Sequence, residues 1–220
     1  MIKVNNLTKT YPGEVPTRAL RGVSFEIKKG EFVALMGRSG SGKSTLLHQL
    51  GLLDIPTSGT VLIDNVDILA LSDAERTSFR LNHLGYVFQE YALIAEFTAL
   101  ENVYFPGMAL GGTHNEERAS ELLKLVGLEE RLHHYPGEMS GGEQQRVAIA
   151  RALINSPKIL FADEATANLD TVSSEVVYRL FQKLNKELNQ TIIMITHEPE
   201  DRKYMDRVIW LKDGLIEKED

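Results

Sequence analysis

GRSGSGKST, residues 37 to 45, follows directly on the apolar run EFVALM of residues 31 to 36. It fits the pattern G-x-x-x-x-G-K-[ST], in which glycines let the backbone turn its N–H groups inward onto phosphate oxygens. In that pattern Lys43 reaches the β- and γ-phosphates and the Ser44 hydroxyl ligates Mg²⁺. A helix starting near Lys43 aims its positive N-terminal end at the same anion. A plain Gly/Ser turn entering a helix shares some of this composition, but a strand before and a helix after is the context a phosphate-binding loop requires.

Working outward, three more apolar runs suit buried strands: LGYVF (84 to 88), KILFA (158 to 162) and TIIMIT (191 to 196). Like EFVALM they are near-continuous rather than alternating, the pattern of parallel strands covered on both faces. Each gives way at once to glycine or polar residues: Gly37, then Gln89, then Asp163 and Glu164, then His197. Ligands of open α/β sheets bind beyond the carboxyl ends of the strands, so these four stretches are expected to converge on one site. Helical periodicity is read in STLLHQLGLL, from about 98 to 127, in GEQQRVAIARALI and in SSEVVYRLFQKLNKEL. The interval between LGYVF and KILFA reads as helix and loop, a helical lobe inserted into the α/β core. IKVNNL, VSFEI and TVLID near the N-terminus look instead like short antiparallel strands joined by turns.

Asp163 and Glu164 stand where a nucleotidase of this loop type places an aspartate on Mg²⁺ and an acid that polarises the attacking water. Alone, two acids at a strand end equally suit a solvated turn or a helix cap. MSGGEQQ, residues 139 to 145, is a second Gly-Gly stretch leading into a helix. By itself it is as well read as an ordinary N-cap, yet one active site does not need two phosphate-cradling helix starts.

Taken together, Tyr11 in TKTY, GRSGSGKST, Gln89 in VFQE, MSGGEQQRVAIARAL, ILFADEATANLD and THE at 196 to 198 resemble the nucleotide-binding subunit of ATP-binding cassette transporters, in that family's order and over essentially the whole chain. The resemblance implies an α/β P-loop NTPase (RecA-like) core with an N-terminal antiparallel β subdomain and an inserted helical subdomain. It implies one domain over 1–220, with 1–88 and 156–220 as the core and 89–155 as the helical part. It further implies that ATP is held by Gly37, Arg38, Ser39, Gly40, Ser41, Gly42, Lys43, Ser44 and Thr45, that Tyr11 stacks on the adenine, and that Ser44, Gln89 and Asp163 hold Mg²⁺. Glu164 would be the catalytic carboxylate, with His197, Lys43 and Gln89 around the γ-phosphate. Ser140, Gly141, Gly142 and Glu143 of a second, head-to-tail copy would cover the nucleotide, which gives the second anion motif a reason. Glu143 stands where the family usually has glutamine, Ala165 where it has proline, and Asn168 precedes Leu169-Asp170; none removes a phosphate ligand, a metal ligand or the base.

Within the family the chain is similar to the short cassettes of the lipoprotein-release and macrolide-export group, which also includes the cell-division FtsE type, through VFQEYALIAEFTALENV at 87 to 103, GLLDIPTSGTVLIDNVDI at 51 to 68 and an end at 220 without a regulatory appendix. That group's usual proline is Ala95 here. The expected partner is an integral membrane permease, with YALIAEF part of the surface meeting it. An importer ATPase or a non-transport ATPase is the alternative.

Composition agrees with such a chain. Lys and Arg number 24 against 31 Asp and Glu, a formal charge of -7 that lacks the basic footprint of nucleic-acid binders. There is no cysteine, hence no disulfide framework or thiolate metal site. No run approaches the roughly 18 apolar residues of a spanning helix, and MIKVNNLTK has no apolar leader, so a cytoplasmic location, peripheral to the membrane, is expected. His133-His134 read as an exposed loop pair, His48 as a packed or partly exposed helix residue, and IEKED as a solvated tail.

Overall fold

The structure, a computed structural model, describes residues 1–111 and 115–220. Two sheets organise it. Strands β1 (Ile2–Tyr11), β2 (Thr17–Ile27), β4 (Ser58–Ile63) and β5 (Val66–Asp67) pair antiparallel in the order β2-β1-β4-β5. The larger sheet has the order β10-β9-β3-β8-β7-β6, built from β3 (Phe32–Met36), β6 (Leu84–Val87), β7 (Ile159–Asp163), β8 (Thr191–Ile195), β9 (Arg207–Lys212) and β10 (Leu215–Glu219). All its pairings are parallel except β9 with β10. Every residue of β3 and β8 is buried, the physical reason their sequences run apolar without alternation.

Within these strands successive side chains enter two different cores. Ile159, Phe161, Ile193 and Ile195 pack with α1 (Lys43–Leu50) and the antiparallel sheet. Leu160, Ala162, Ile192 and Met194 pack on the opposite face with α5 (Gly141–Leu153) and α6 (Thr171–Leu188). That second core continues without a break into α3 (Ala99–Met108) and α4 (Asn115–Leu125), through Ala99, Val103, Leu122 and Leu123. Helix α5 is the bridge: Val147, Ile149 and Ala150 are fully buried between the helices and the sheet. Of the stretch expected helical from 98 to 127, residues 112–114 lie outside those described.

The structure adds elements that the sequence reading lacks, among them β9 between β3 and β10. IEKED is no free tail: Ile216 to Glu219 belong to β10, whose backbone pairs with β9 while nearly all its side chains stay in solvent. An edge strand that exposes charge keeps the composition of a tail, and charge on an edge discourages pairing with other chains. A further addition is α2 (Asp73–His83), which buries no side chain fully and starts on a capping box between Ser72 and Glu75. The β9–β10 turn braces the phosphate loop. Gly214 donates its N–H to the Ser41 carbonyl at 3.0 Å and accepts from the Arg21 N–H at 2.8 Å, joining that loop to β2. Its φ is +76°, and a Cβ there would lie 2.7 Å from the Ala19 carbonyl oxygen. Gly214→Ala is therefore expected to cost at least about 1–2 kcal/mol for the left-handed backbone alone, read as a lower urea midpoint; an unchanged midpoint would contradict this seating of the turn.

Candidate functional site

The phosphate loop runs from the end of β3 to α1. Its helix has Gly42 at the N-cap with φ 106°, no side-chain cap and no acidic residue in the first turn. The first N–H groups of α1 are thus left for a ligand, with the positive end of the helix behind them. Gly37 is obligatory on packing grounds: its φ is 149°, and a Cβ would fall 2.2 Å from the Leu211 carbonyl of β9. Lys43 is only 7% exposed. Its ammonium donates to the Gly37 and Arg38 carbonyls at 2.9 and 3.2 Å. Burial pushes its pKa down, against the opposing pull of Glu164 and Asp163. The Ser41 hydroxyl is buried without a protein partner, while Arg38, Ser39, Gly40 and Ser44 are exposed and Thr45 is half-buried. An unpartnered hydroxyl, uncapped amides and a buried ammonium fit a bound polyphosphate.

Sheet register brings the other groups alongside. Asp163 of β7 pairs with Ile195 of β8, and Ile195 pairs with Leu35 of β3. The residues that leave these strands emerge as neighbours: His197 Nδ1 lies 3.9 Å from Glu164 Oε1. Asp163 Oδ2 is 3.7 Å from His48 Nε2 on α1. Burial raises the pKa of Asp163; His48 and Lys43 oppose it, and Glu164 adds to it. By sequence His48 is an ordinary helix residue, and no local signal places it here, because the contact exists only once α1 packs over β7. Glu164 has φ +47°, a left-handed conformation that costs a non-glycine residue about 1–3 kcal/mol and persists only where the surroundings impose it. Ser44, Asp163 and Gln89 offer hard oxygens of the kind Mg²⁺ takes beside phosphate and water. Among the described residues no cluster of three or more His, Cys, Asp or Glu forms a metal cage.

Gln89, just past β6, is exposed, and its carbonyl accepts from Asn168 Nδ2 at 3.2 Å. Tyr11 is 38% exposed. Its hydroxyl donates to Asp54 at 3.0 Å, and Lys9 sits over the ring 4.8 Å from its centroid. The same carboxylate accepts from Gln49 of α1 at 2.8 Å. Burial pushes the Asp54 pKa up, but hydrogen bonds from Lys9, the Ile55 amide and Tyr11 together bring it below the usual range.

Ser140 caps α5. Its hydroxyl accepts from the Glu143 N–H at 3.3 Å, while Glu143 accepts from the Ser140 N–H at 2.8 Å and pairs with Arg131 at 3.0 Å. The Ser140 amide is the first cause holding the Glu143 carboxyl below its ordinary pKa. Among the described residues no hydrogen bond or ion pair joins Ser140, Gly141, Gly142 or Glu143 to the phosphate loop, Asp163, Glu164 or His197. The phosphate loop and the capped start of α5 are therefore separate features of one chain.

Known proteins resemble the chain throughout. The ABC transporter family profile matches residues 20–167, more than half of it. An ABC transporter ATP-binding protein of Methanocaldococcus jannaschii, MJ0796, is 48% identical over all of this chain and 97% of its own length. A solved dimeric structure of that cassette in a post-hydrolysis state, bound to ADP and Pi, superposes with TM-score 0.91 at 46% identity, covering 100% of this chain and 98% of that one. A lipoprotein-releasing system ATP-binding protein, LolD, of Cytophaga hutchinsonii is 46% identical over 98% of both chains. The macrolide export ATP-binding/permease protein MacB of Syntrophobacter fumaroxidans is 47% identical over all of this chain, which spans 31% of that protein. With this profile match, these identities and this fold, the chain belongs to the ABC transporter family.

Proposed function

We propose that this chain binds and hydrolyses ATP as the nucleotide-binding subunit of a membrane transporter. One observation carries the reading: the loop 37–45, Asp163, Glu164 and His197 emerge from the carboxyl ends of the adjacent strands β3, β7 and β8. The loop amides and Lys43 bind the phosphates, the ammonium turning from the Gly37 and Arg38 carbonyls to the β- and γ-oxygens. Ser44, Gln89 and Asp163 would hold Mg²⁺, which supplies charge neutralisation on those oxygens. Glu164 orients the attacking water and accepts its proton; His197, 3.9 Å away, steadies the γ-phosphate from the other side. Tyr11, its hydroxyl anchored on Asp54, offers its ring face to the adenine. In this reading residues 1–88 and 156–220 are the nucleotide-holding core and 89–155 the helical subdomain that carries the second anion motif.

Lys43→Ala removes the one buried cation at the phosphates. Phosphate release should fall by about 10²-fold or more, the scale of losing a preorganised charge-stabilising donor. Equal rates for the two proteins would dismiss the assignment.

The separation of Ser140 from the phosphate loop supports a head-to-tail dimer in which each copy completes the site of the other, as does the dimeric state of the archaeal relative. Ser140→Arg should leave ATP binding to the monomer unchanged and abolish ATP-dependent dimerisation, followed by light scattering; a variant that dimerises normally would place the nucleotide's second contact elsewhere.

No helix of the described residues is long and apolar enough to cross a membrane; the expected partner is an integral membrane permease. A groove of about 360 Å³, lined by Tyr86, Phe88, Ala92, Ile94, Phe105 and Arg151, suits that contact. Ala92 is exposed there and Phe97 half-buried. Relatives named for lipoprotein release and macrolide export support an exporter of that group, working from the cytoplasmic face.

A further inference from the structure

Behind Glu164 and His197 lies a chain of polar side chains that takes no part in holding phosphate. Helix α6 carries Tyr178, 3% exposed, with its ring stacked on Tyr204 at 4.8 Å between centroids and 3° between planes. The Tyr178 hydroxyl donates to the Asp201 carboxylate and lies 2.9 Å from Thr166 Oγ1. A phenol has one proton, and it is committed to the carboxylate, so Thr166 is the donor in the second bond. Thr196 Oγ1 donates to the same Asp201 oxygen at 2.6 Å and accepts from the Glu198 N–H at 3.2 Å. Burial, and after it the bond to Asp201, raise the Tyr178 pKa above that of an ordinary phenol. The proton therefore stays in place at physiological pH and the direction of the chain is fixed.

Position gives these bonds their meaning. Thr166 is two residues beyond Glu164, and Thr196 immediately precedes His197. Tyr178 and Asp201 thus tie the loop after β7 to the loop after β8, beneath a cavity of about 300 Å³ that both loops line. Core packing alone would account for a buried aromatic ring at 178 but not for the carboxylate at 201. Asp201 is only half-buried on the turn Pro199–Tyr204, so the core does not require a side chain of any kind there. What the acid adds is direction: it accepts from Tyr178 of α6 and from Thr196 at the end of β8, while Tyr178 in turn accepts from Thr166 of the loop after β7. The restraint falls where it is needed: Glu164 is held at φ +47°, and the next residue, Ala165, has no ring to fix its own φ as a proline would.

We propose that Tyr178 and Asp201 are positioning residues for ATP hydrolysis, touching no substrate but setting the spacing of Glu164 and His197. This rests on the assignment of those two residues to the reacting centre, and the test separates the two ideas. Steady-state kcat and KM for ATP are measured, each with a urea midpoint, for Tyr178→Phe, Thr166→Val, Thr166→Ser, the Tyr178→Phe/Thr166→Val pair and Glu164→Gln. Tyr178→Phe keeps the ring and its stacking; its KM should hold while kcat falls about tenfold, less than the roughly 10²-fold cost of a 1 Å displacement. Thr166→Val should match it, Thr166→Ser should restore kcat, and the pair should lose no more than either change alone, as members of one network do. A wild-type kcat in Tyr178→Phe beside an inactive Glu164→Gln would overturn the positioning role alone. So would losses that follow the urea midpoint and that Thr166→Ser fails to restore. A wild-type rate in Glu164→Gln would remove the assignment on which the proposal stands.

Discussion

Burial of charge at the carboxyl ends of β3 and β7 is the constraint around which the molecule is arranged. The strands are apolar because both their faces are covered, and at their ends the chain places Lys43 and Asp163 at the edge of that apolar interior. Burial moves the pKa of the ammonium down and that of the carboxyl up, so each group disfavours its own charge. Their opposite signs offset part of the cost. The uncapped start of α1 adds a fixed positive potential. In the proposed function a triphosphate with a divalent cation would answer all of these at once, its anionic oxygens satisfying amides and ammonium and the metal the carboxylate.

How much of this is legible in the sequence depends on whether a residue's neighbours are local. Strands β3, β6, β7 and β8 are legible because short unbroken apolar runs bounded by turn residues suit a buried strand, and the phosphate loop because its spacing is set by one continuous turn. Strand β10 is not, because charge on an exposed edge erases the signature of a strand; β9, inside the sheet with Val208, Ile209 and Leu211 buried, carries the carbonyl that forces glycine at 37. Helix α2 leaves a trace in the Ser72–Glu75 capping box, but with no side chain fully buried it lacks the apolar stripe that marks a core helix. The contact of His48 with Asp163 and the Tyr178–Asp201 chain join residues far apart in sequence and on different elements, and no periodicity encodes them.

Departures from the family's usual residues acquire local roles in the fold. Asn168 donates to the Gln89 carbonyl and so links the loop after β7 to the loop after β6. Glu143 exchanges hydrogen bonds with Ser140 and is neutralised by Arg131, which keeps an added negative charge from facing an incoming phosphate alone. Arg151, inside the stretch that carries the resemblance, donates to the carbonyls of Tyr91 and Ala92, two consecutive residues with φ of 58° and 51°, and so holds the turn that opens onto the groove.

The phosphate loop and the α5 start share no bond within one chain, and that separation is the centre of the functional account: ATP should act as the missing link between two copies. Glu164→Gln keeps the size of the side chain and removes the carboxylate proposed as base beside the γ-phosphate, a loss worth about 10² to 10⁴ in rate. Blocked hydrolysis should hold the bridged state. Size-exclusion chromatography with light scattering on Glu164→Gln measures this directly: a dimer with ATP and a monomer with ADP is the expected result. A protein that binds ATP yet stays monomeric with either nucleotide would contradict the composite site.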